Sequence, residues 1–199
     1  MIKLNNVSFF YAEKQVFKDL NYTFPNKGIF AIMGESGEGK TTLLRLLGGL
    51  EKPAAGNIEA TYKKVAVAFQ EPRLLPWLNC ENNLNFVLSK EKQATDLAAM
   101  SLRDFELEEC AKAMPNALSG GMKQRLSLAR ALAVKADLLL LDEPFSALDA
   151  ALRERIAPLV KSANPNGLTV IVTHDKRDAE LLGAEILLLN GSALSPLHD

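Results

Sequence analysis

The sequence predicts an α/β fold with a mostly parallel β-sheet, and two patterns carry this prediction. Short apolar runs of strand length occur at 28–33, 138–141, 168–172 and 186–189. The segments between the last three runs have helical patterns. Continuous apolar runs are typical of strands that are buried on both faces, and their alternation with helices is the pattern of a parallel sheet covered by helices.

The chain begins with strand-like sequence. Residues 7–11 and 16–24 are rich in aromatic and β-branched residues, which favour strands. The apolar run 28–33 then ends at Gly34, and leucines recur at helical spacing from 43 to 50. This order predicts a buried strand, a glycine-rich loop and a buried helix.

The middle of the chain is predicted to be mainly helical. Residues 65–69 should form a further strand, whereas 77–113 lacks strand-like runs and is rich in Asn, Glu, Lys, Leu and Ala. After Gly121, apolar residues at positions 122, 126, 129 and 133 form one stripe along a predicted helix.

Length and composition favour one globular unit. A chain of 199 residues with 48% hydrophobic content is long enough to bury a core, and its net charge of −1 gives no electrostatic reason to expect a nucleic-acid partner. Cys80 and Cys110 fit neither a metal-binding nor a disulfide pattern, so both are expected to be reduced thiols. Because no apolar run approaches the ~18 residues of a membrane span, the chain itself is expected neither to cross a membrane nor to be exported.

Residues 34–41 match the pattern G-x-x-x-x-G-K-[ST], in which the backbone N–H groups of a glycine-rich loop hold the phosphates of a nucleotide. A predicted strand precedes this loop and a predicted helix follows it, so the helix N-terminus also faces the phosphates. Lys40 is expected to reach the β- and γ-phosphates, and the Thr41 hydroxyl to bind Mg²⁺. An ordinary glycine turn is the alternative. Glu38 is unusual here, since a carboxylate facing the β-phosphate would repel it, and we expect its side chain to point away.

Acidic and histidine residues follow two of the apolar runs. Asp142 and Glu143 end one run, and His174 follows the next, so parallel strands would bring all three to the sheet edge where the glycine loop lies. Asp142 suits Mg²⁺, and Glu143 suits a general base that orients an attacking water. The alternatives are that the two carboxylates only begin a turn and that the histidine is structural. The second histidine, His198, is expected in a frayed tail.

Residues 118–125, Leu-Ser-Gly-Gly-Met-Lys-Gln-Arg, resemble the signature motif of the ATP-binding cassette family and are called the signature segment below. The family's other motifs are matched in the family's order by the loop 34–42, Gln70, 142–144, 146–149 and 173–175. The resemblance therefore spans nearly the whole chain. It implies a P-loop NTPase core with an N-terminal antiparallel β subdomain and an inserted α-helical subdomain. Residues 1–73 and 136–199 would form the catalytic core, and 74–135 the helical subdomain.

The resemblance also implies a head-to-tail dimer, in which the glycine loop of one copy and Ser119 to Gly121 of the other enclose each ATP. A serine and backbone N–H groups at a helix start suit an anion, and a helix N-cap role for Ser119 is compatible with this. Tyr11 would stack on adenine, although packing within the strand is an alternative. The predicted residues are Glu143, His174 and Gln70 for catalysis; Tyr11, Gly34, Glu35, Ser36, Gly37, Glu38, Gly39, Lys40, Thr41 and Thr42 for the nucleotide; Ser119, Gly120, Gly121 and Gln124 for the partner's ATP; Asp149 at the dimer seam; and Thr41, Gln70 and Asp142 for Mg²⁺.

Residues 69–77, Phe-Gln-Glu-Pro-Arg-Leu-Leu-Pro-Trp, are similar to the corresponding stretch of importer ATPases for nitrate, sulfonates, taurine and related small molecules. In that family the region contacts the permease, and Leu74, Leu75 and Trp77 are apolar enough to line such a contact. A packing hinge between subdomains is the alternative. The resemblance thus implies an ATPase that works with ATP, Mg²⁺, a second ATP-binding subunit, permease subunits and, through them, a solute-binding protein, at the cytoplasmic face of the cell membrane.

Two other functions remain open at this point. The same ATP clamp serves soluble ATPases that act on nucleic acid or the ribosome, but the long coiled coils or tandem cassettes that mark them do not occur in this sequence. The other is a nucleotide-regulated module that binds ATP without hydrolysing it. The presence of Lys40, Asp142, Glu143 and His174 argues against such a module.

Overall fold

The computed structural model describes residues 1–197, so His198 lies outside the described residues. Within this range the apolar runs predicted at 28–33, 138–141, 168–172 and 186–189 all form strands. The strands are β1 (Ile2–Tyr11), β2 (Lys14–Phe24), β3 (Gly28–Met33), β4 (Ala55–Ala60), β5 (Val65–Ala68), β6 (Leu138–Asp142), β7 (Leu168–Val172), β8 (Glu185–Asn190) and β9 (Ala193–Pro196). The helices are α1 (Lys40–Leu47), α2 (Cys80–Leu88), α3 (Ala94–Asp104), α4 (Gly120–Ala133), α5 (Ala150–Ala163) and α6 (Lys176–Leu182), with 3₁₀ turns at Glu108–Cys110 and Pro115–Ala117.

The strands form two sheets. The larger sheet has the order β5-β6-β7-β3-β8-β9 and is parallel except for β9, which pairs antiparallel with β8. The smaller sheet, β2-β1-β4, is antiparallel and is built from the amino-terminal part of the chain. The predicted fold, a P-loop NTPase core with a mostly parallel sheet and an antiparallel β subdomain, is confirmed.

The larger sheet separates two halves of the hydrophobic core, because successive side chains of a strand point to opposite faces. Leu140 packs into the cluster that contains Phe17 of β2 and Leu43 of α1. Its neighbour Leu139 packs into the cluster on the helical side, which contains Leu126 of α4. The apolar stripe predicted along α4 therefore faces the core.

Several strand boundaries differ from the predicted ones for local reasons. β1 begins before residue 7, because bulges between Leu4 and Phe10 interrupt the alternation that marks a strand. β2 begins before residue 16 with two exposed polar residues, Lys14 and Gln15, which carry no apolar signal. β4 was not predicted, since it is exposed along its length except for the partly buried Ile58 and therefore has no apolar pattern. Sheet pairing with β1 forms this strand despite its composition.

None of the helices among residues 1–197 combines the length and the apolar character needed to cross a membrane. Cys80 is buried, Cys110 is partly buried, and both are free thiols.

Candidate nucleotide-binding site

A cavity of about 710 Å³ opens at the carboxyl edge of the parallel sheet. The strand order places β5, β6, β7 and β3 side by side, so the segments that follow these strands meet there. Its volume lies within the range of about 300–1,000 Å³ that is typical of small-molecule sites. The cavity is lined by Tyr11, Lys14, Gln15, Val16, Gly34, Ser36, Gly37, Glu38, Gly39, Lys40, Thr41, Thr42, Gln70, Asp142, Glu143, Val172, His174 and Gly191. A second cavity of about 400 Å³, at the amino edge of the sheet, contains none of the predicted site residues.

The glycine loop, residues 34–42, is shaped by close approach to the β subdomain. Gly39 has a φ of 95°, and a Cβ atom there would come within 2.6 Å of Val16 Cγ1 and 2.8 Å of Phe17 Cζ. Only glycine fits this position, because a side chain would be strained in its backbone and would clash. The loop leads directly into α1, so the first N–H groups of this helix face the cavity.

Two charged side chains of the loop are held by its own backbone. Lys40 Nζ donates hydrogen bonds to the carbonyl oxygens of Gly34, at 2.8 Å, and Glu35, at 2.6 Å. Glu38 Oε2 accepts a hydrogen bond from the Glu35 N–H at 2.9 Å, which holds this carboxylate against the loop. That Glu38 points away from a bound nucleotide stays a prediction.

The donor set beside the loop suits a magnesium ion. The Thr41 hydroxyl donates a hydrogen bond to Asp142 Oδ2 at 2.8 Å, which joins the start of α1 to the end of β6. Burial raises the pKa of the Asp142 carboxyl above its usual range, and the hydrogen bond from Thr41 partly opposes this. Within residues 1–197, no cluster of three or more His, Cys, Asp or Glu residues could hold a metal alone. The Thr41 hydroxyl and the Asp142 carboxylate suit Mg²⁺, which takes one or two protein oxygens and completes its shell with water and phosphate.

Glu143 and His174 form a close pair at the mouth of the cavity. Glu143 adopts a φ of 50°, which is uncommon for a residue with a side chain, and its N–H donates to the Val172 carbonyl at 2.9 Å. His174 Nδ1 lies 3.0 Å from both carboxylate oxygens of Glu143. The hydrogen bond to Glu143 and the negative charge of that residue raise the pKa of the His174 imidazole above its ordinary value.

Glu143→Gln should therefore lower the pKa of His174 towards its ordinary value. In the unsubstituted protein the imidazole stays protonated to a higher pH than in the unfolded chain, and the stabilisation by this pair is lost as the pH rises through the raised pKa. The measurement is an NMR titration of the histidine ring protons, with the His174 signal assigned from a His174→Gln variant. An unchanged titration after Glu143→Gln would contradict the observed pairing.

The predicted signature residues lie outside the cavity of their own chain. Ser119 caps α4 by accepting a hydrogen bond from the Met122 N–H at 3.2 Å. At Gly120 an added Cβ would meet no atom within 4 Å, and at Gly121 it would make only ordinary contacts. Packing within this chain therefore does not require glycine at either position, whereas the close approach of a ligand from outside would.

Gln124 and Asp149 also make contacts within the chain. Gln124 Nε2 donates to the Gln70 carbonyl at 3.2 Å and to Ser146 Oγ at 3.4 Å, so α4 is linked to the segments that follow β5 and β6. Asp149 caps α5 by accepting a hydrogen bond from the Leu152 N–H at 2.9 Å. Their predicted roles at a partner's ATP and at a dimer seam stay predictions.

Tyr11 lies at the outer end of the cavity. Its ring packs edge-on against Phe9 with 4.9 Å between centroids, and its hydroxyl accepts a hydrogen bond from Arg45 Nη1 at 3.1 Å. Phe9 is buried, whereas Tyr11 is 41% exposed. Packing within the strand thus leaves part of the Tyr11 ring open to a ligand.

The sequence patterns missed five residues that line the cavity. Lys14, Gln15 and Val16 come from the start of β2, Val172 ends β7, and Gly191 follows β8. None of them belongs to a motif with a chemical signature. Only the order of strands in the folded sheets brings them to the site.

Comparison with known proteins adds independent findings. A family model described as ABC transporter matches residues 17–146. The aliphatic sulfonates import ATP-binding protein of Corynebacterium glutamicum is 42% identical over 191 residues, which cover 93% of this chain and 78% of that protein. The protein of the same name from Escherichia coli strain K12 is 43% identical over 195 residues, covering 94% and 76%.

Solved structures resemble the chain over nearly its whole length. One is a dimeric ATP-binding cassette in a post-hydrolysis state bound to ADP and phosphate, with a TM-score of 0.85, 31% identity and coverage of 98% of this chain and 96% of that one. Another, the dimeric structure of a bacterial ABC transporter cassette, has a TM-score of 0.86 at the same identity and coverage.

Proposed function

Because the chain belongs to the ABC transporter family, we propose that it couples ATP hydrolysis to the import of aliphatic sulfonates. The chain is an ATP-binding subunit and an ATPase. The observation that carries the ATPase part of the proposal is the cavity that combines the glycine loop with Asp142, Glu143 and His174, and the similarity to sulfonate import proteins supports the cargo. The proposed partners are a second copy of the chain, permease subunits and a solute-binding protein, and the proposed location is the cytoplasmic face of the membrane.

The proposed cargo is tested by transport. The chain, reconstituted in liposomes with its permease and solute-binding protein, should take up a radiolabelled alkanesulfonate only when ATP and Mg²⁺ are supplied on the side of the ATPase. Uptake of nitrate but not of the sulfonate would overturn the cargo. ATP hydrolysis by a chain that binds no permease would overturn the proposed role in import.

In the proposed mechanism, Lys40 and the N–H groups of the glycine loop hold the β- and γ-phosphates of ATP in place. Thr41, Asp142 and Gln70 would hold Mg²⁺, which would supply positive charge that stabilises the phosphates. Glu143 accepts the proton of the attacking water and holds that water in line with the γ-phosphate. The hydrogen bond between His174 Nδ1 and Glu143 supports a role for the imidazole as an orienting group at the γ-phosphate.

The proposed switch depends on a dimer of two such chains. The γ-phosphate of each ATP contacts the glycine loop of one copy and Ser119 of the other, so ATP favours the closed dimer over separated subunits. Hydrolysis removes these contacts and reopens the dimer. The position of Ser119 outside its own chain's cavity supports this arrangement.

The proposed division is a catalytic core, residues 1–73 and 136–199, and a helical subdomain, residues 74–135. The hydrogen bond from Gln124 to the Gln70 carbonyl supports a link between them, because it joins α4 to the segment after β5. Through this link, closure of the ATP site changes the position of the helical subdomain.

The permease contact is proposed for residues 74–77. This segment is fixed from within, because the buried Asn83 side chain binds the backbone of Leu75 and Leu78, and Arg130 Nη2 donates to the Arg73 carbonyl. Trp77 is nevertheless 70% exposed. A large apolar ring that is held towards solvent is typical of a surface covered by a partner.

Trp77→Ala should weaken association with the permease and leave ATP binding unchanged, because the ring lies outside the nucleotide cavity. The loss of a buried tryptophan at an interface is expected to cost about 2 kcal/mol or more in binding free energy. The measurement is co-purification from membranes, together with ATP titration of the isolated subunit. Leu50→Ala, at another exposed apolar residue, is the matched control, and equal co-purification of both variants would argue against the contact.

A further inference from the structure

We propose that Arg153 is a positioning residue for ATP hydrolysis, which holds the loop carrying His174 against the helix that begins after Asp149. This inference rests on the proposed roles of Glu143 and His174 in hydrolysis. Arg153 does not line the nucleotide cavity and therefore acts through other residues.

Arg153 contacts two carboxylates that follow His174 in the chain, and through one of them it is linked to Thr173 before it; residues 173–175 are called the His174 loop. Its Nη1 lies 2.9 Å from Asp175 Oδ2 and 3.0 Å from Asp178 Oδ1. The Thr173 hydroxyl donates to Asp178 Oδ2 at 2.8 Å and accepts a hydrogen bond from the Asp175 N–H at 3.1 Å. Thr173 and Asp175 flank His174 in the chain, so this network fixes the backbone on either side of the imidazole.

The network is largely withdrawn from solvent, whereas the histidine is not. The Asp178 side chain is only 4% exposed, and Thr173 is fully buried. Burial raises the pKa of the Asp178 carboxyl, and the hydrogen bond from Thr173 and the charge of Arg153 oppose this rise. The His174 side chain is 74% exposed. Packing therefore does little to orient the imidazole, and its position depends on its anchored backbone and on Glu143.

The other end of the network lies at the start of α5. The backbone N–H of Arg153 donates to the Asp149 carbonyl at 2.9 Å, and the Asp149 side chain caps the same helix. Because one nitrogen, Nη1, contacts both carboxylates, a shift of the first turn of α5 is passed to the His174 loop. Since Asp149 is predicted at the dimer seam, Arg153 would make the position of His174 depend on closure of the dimer.

The test separates positioning from stability. Arg153→Met leaves the buried Asp178 carboxylate without its partner and should destabilise the fold. Adding Asp178→Asn removes this charge and keeps an oxygen that can accept the hydrogen bond from Thr173. The double variant Arg153→Met/Asp178→Asn should therefore regain the melting temperature of the unsubstituted protein.

The double variant should still hydrolyse ATP slowly. We expect a loss of about tenfold to a hundredfold in kcat, as small displacements of catalytic groups produce, with an unchanged KM for ATP. An Asp178→Asn variant should already lower the His174 pKa by removing a nearby negative charge, and the double variant should lower it further, in an NMR titration, because the contact with Glu143 is no longer held. Arg153→Lys, which keeps the charge but places it on a more flexible side chain, should recover part of kcat.

Arg155→Met is the matched control on the same helix. Arg155 Nη2 lies 2.6 Å from Glu106 Oε1, but both side chains are about half exposed and neither contacts the His174 loop. This variant should keep normal kcat and a normal His174 titration.

Recovery of kcat together with the melting temperature in the double variant would overturn the proposal, since Arg153 would then act only through stability. A Glu143→Gln variant measured alongside distinguishes a failure of the proposed catalytic site from a failure of the role of Arg153. Normal turnover in Glu143→Gln would refute the proposed catalytic site itself, whereas an inactive Glu143→Gln with a fully active double variant would refute only the role of Arg153.

Discussion

Glu143→Gln is expected to lower kcat for ATP hydrolysis by about 10²- to 10⁴-fold, the usual contribution of a general base, and to leave ATP affinity unchanged. Glutamine keeps the size of the side chain but cannot accept the proton of the attacking water. The residue follows β6, whereas the groups predicted to hold the phosphates belong to the glycine loop, so binding is retained. Because the γ-phosphate is then not removed, the variant should accumulate as an ATP-bound dimer. Phosphate release and light scattering after size-exclusion chromatography measure the two effects.

The control for this variant is Glu109→Gln, which changes an exposed carboxylate in the 3₁₀ turn at Glu108–Cys110. It should leave turnover and oligomeric state unchanged. Normal hydrolysis by Glu143→Gln would mean that the general base is another group. A slow variant that remains monomeric at saturating ATP would keep the base but refute the shared site.

The parts of the site that could be predicted from sequence are those governed by local chemistry. The strand run before Gly34, the loop glycines and Lys40 carry a pattern with a physical cause, and β3, the loop and α1 follow one another as predicted. Likewise, Asp142 and His174 each follow an apolar run, and the rule that parallel strands end at one edge brings them together. The structure confirms the fold that this argument requires.

The parts that could not be predicted depend on distant pairings. β4 has no apolar pattern of its own and forms by pairing with β1. In the sequence alone, Arg153 looks like an ordinary charged residue on a helix, because its partners Asp175 and Asp178 lie more than twenty positions away. Contacts of this kind leave no periodicity, so only the folded chain reveals them.

The two glycines at the start of α4, in the signature segment, have no explanation in the packing of their own chain. Two successive glycines open α4, although a glycine in a helix interior costs about 0.5–1 kcal/mol relative to alanine. A Cβ at Gly120 would meet no atom within 4 Å, so packing within the chain gives no reason for the choice. A phosphate from a second copy, approaching the N–H groups at this helix start, does give one.

Gly120→Asp should therefore abolish ATP hydrolysis while leaving the isolated subunit intact. We expect the free energy of unfolding to change by no more than about 0.5–1 kcal/mol, because the new side chain extends into open space at the start of a helix. ATP binding to one subunit should persist, since the glycine loop is unchanged. The carboxylate would repel the γ-phosphate offered by the facing copy, so the ATP-bound dimer should be lost and turnover should fall by at least about 10²-fold.

A mixture of two inactive variants makes this prediction specific to a shared site. Lys40→Met removes the lysine that reaches the phosphates but keeps the signature segment, whereas Gly120→Asp keeps the glycine loop. A dimer of one chain of each kind contains one complete site, built from the loop of one and the signature segment of the other. Mixing the purified variants should restore part of the phosphate release that neither shows alone. If the mixture stays inactive while both variants remain folded, each chain must complete its own site, and the glycines of α4 would need another explanation.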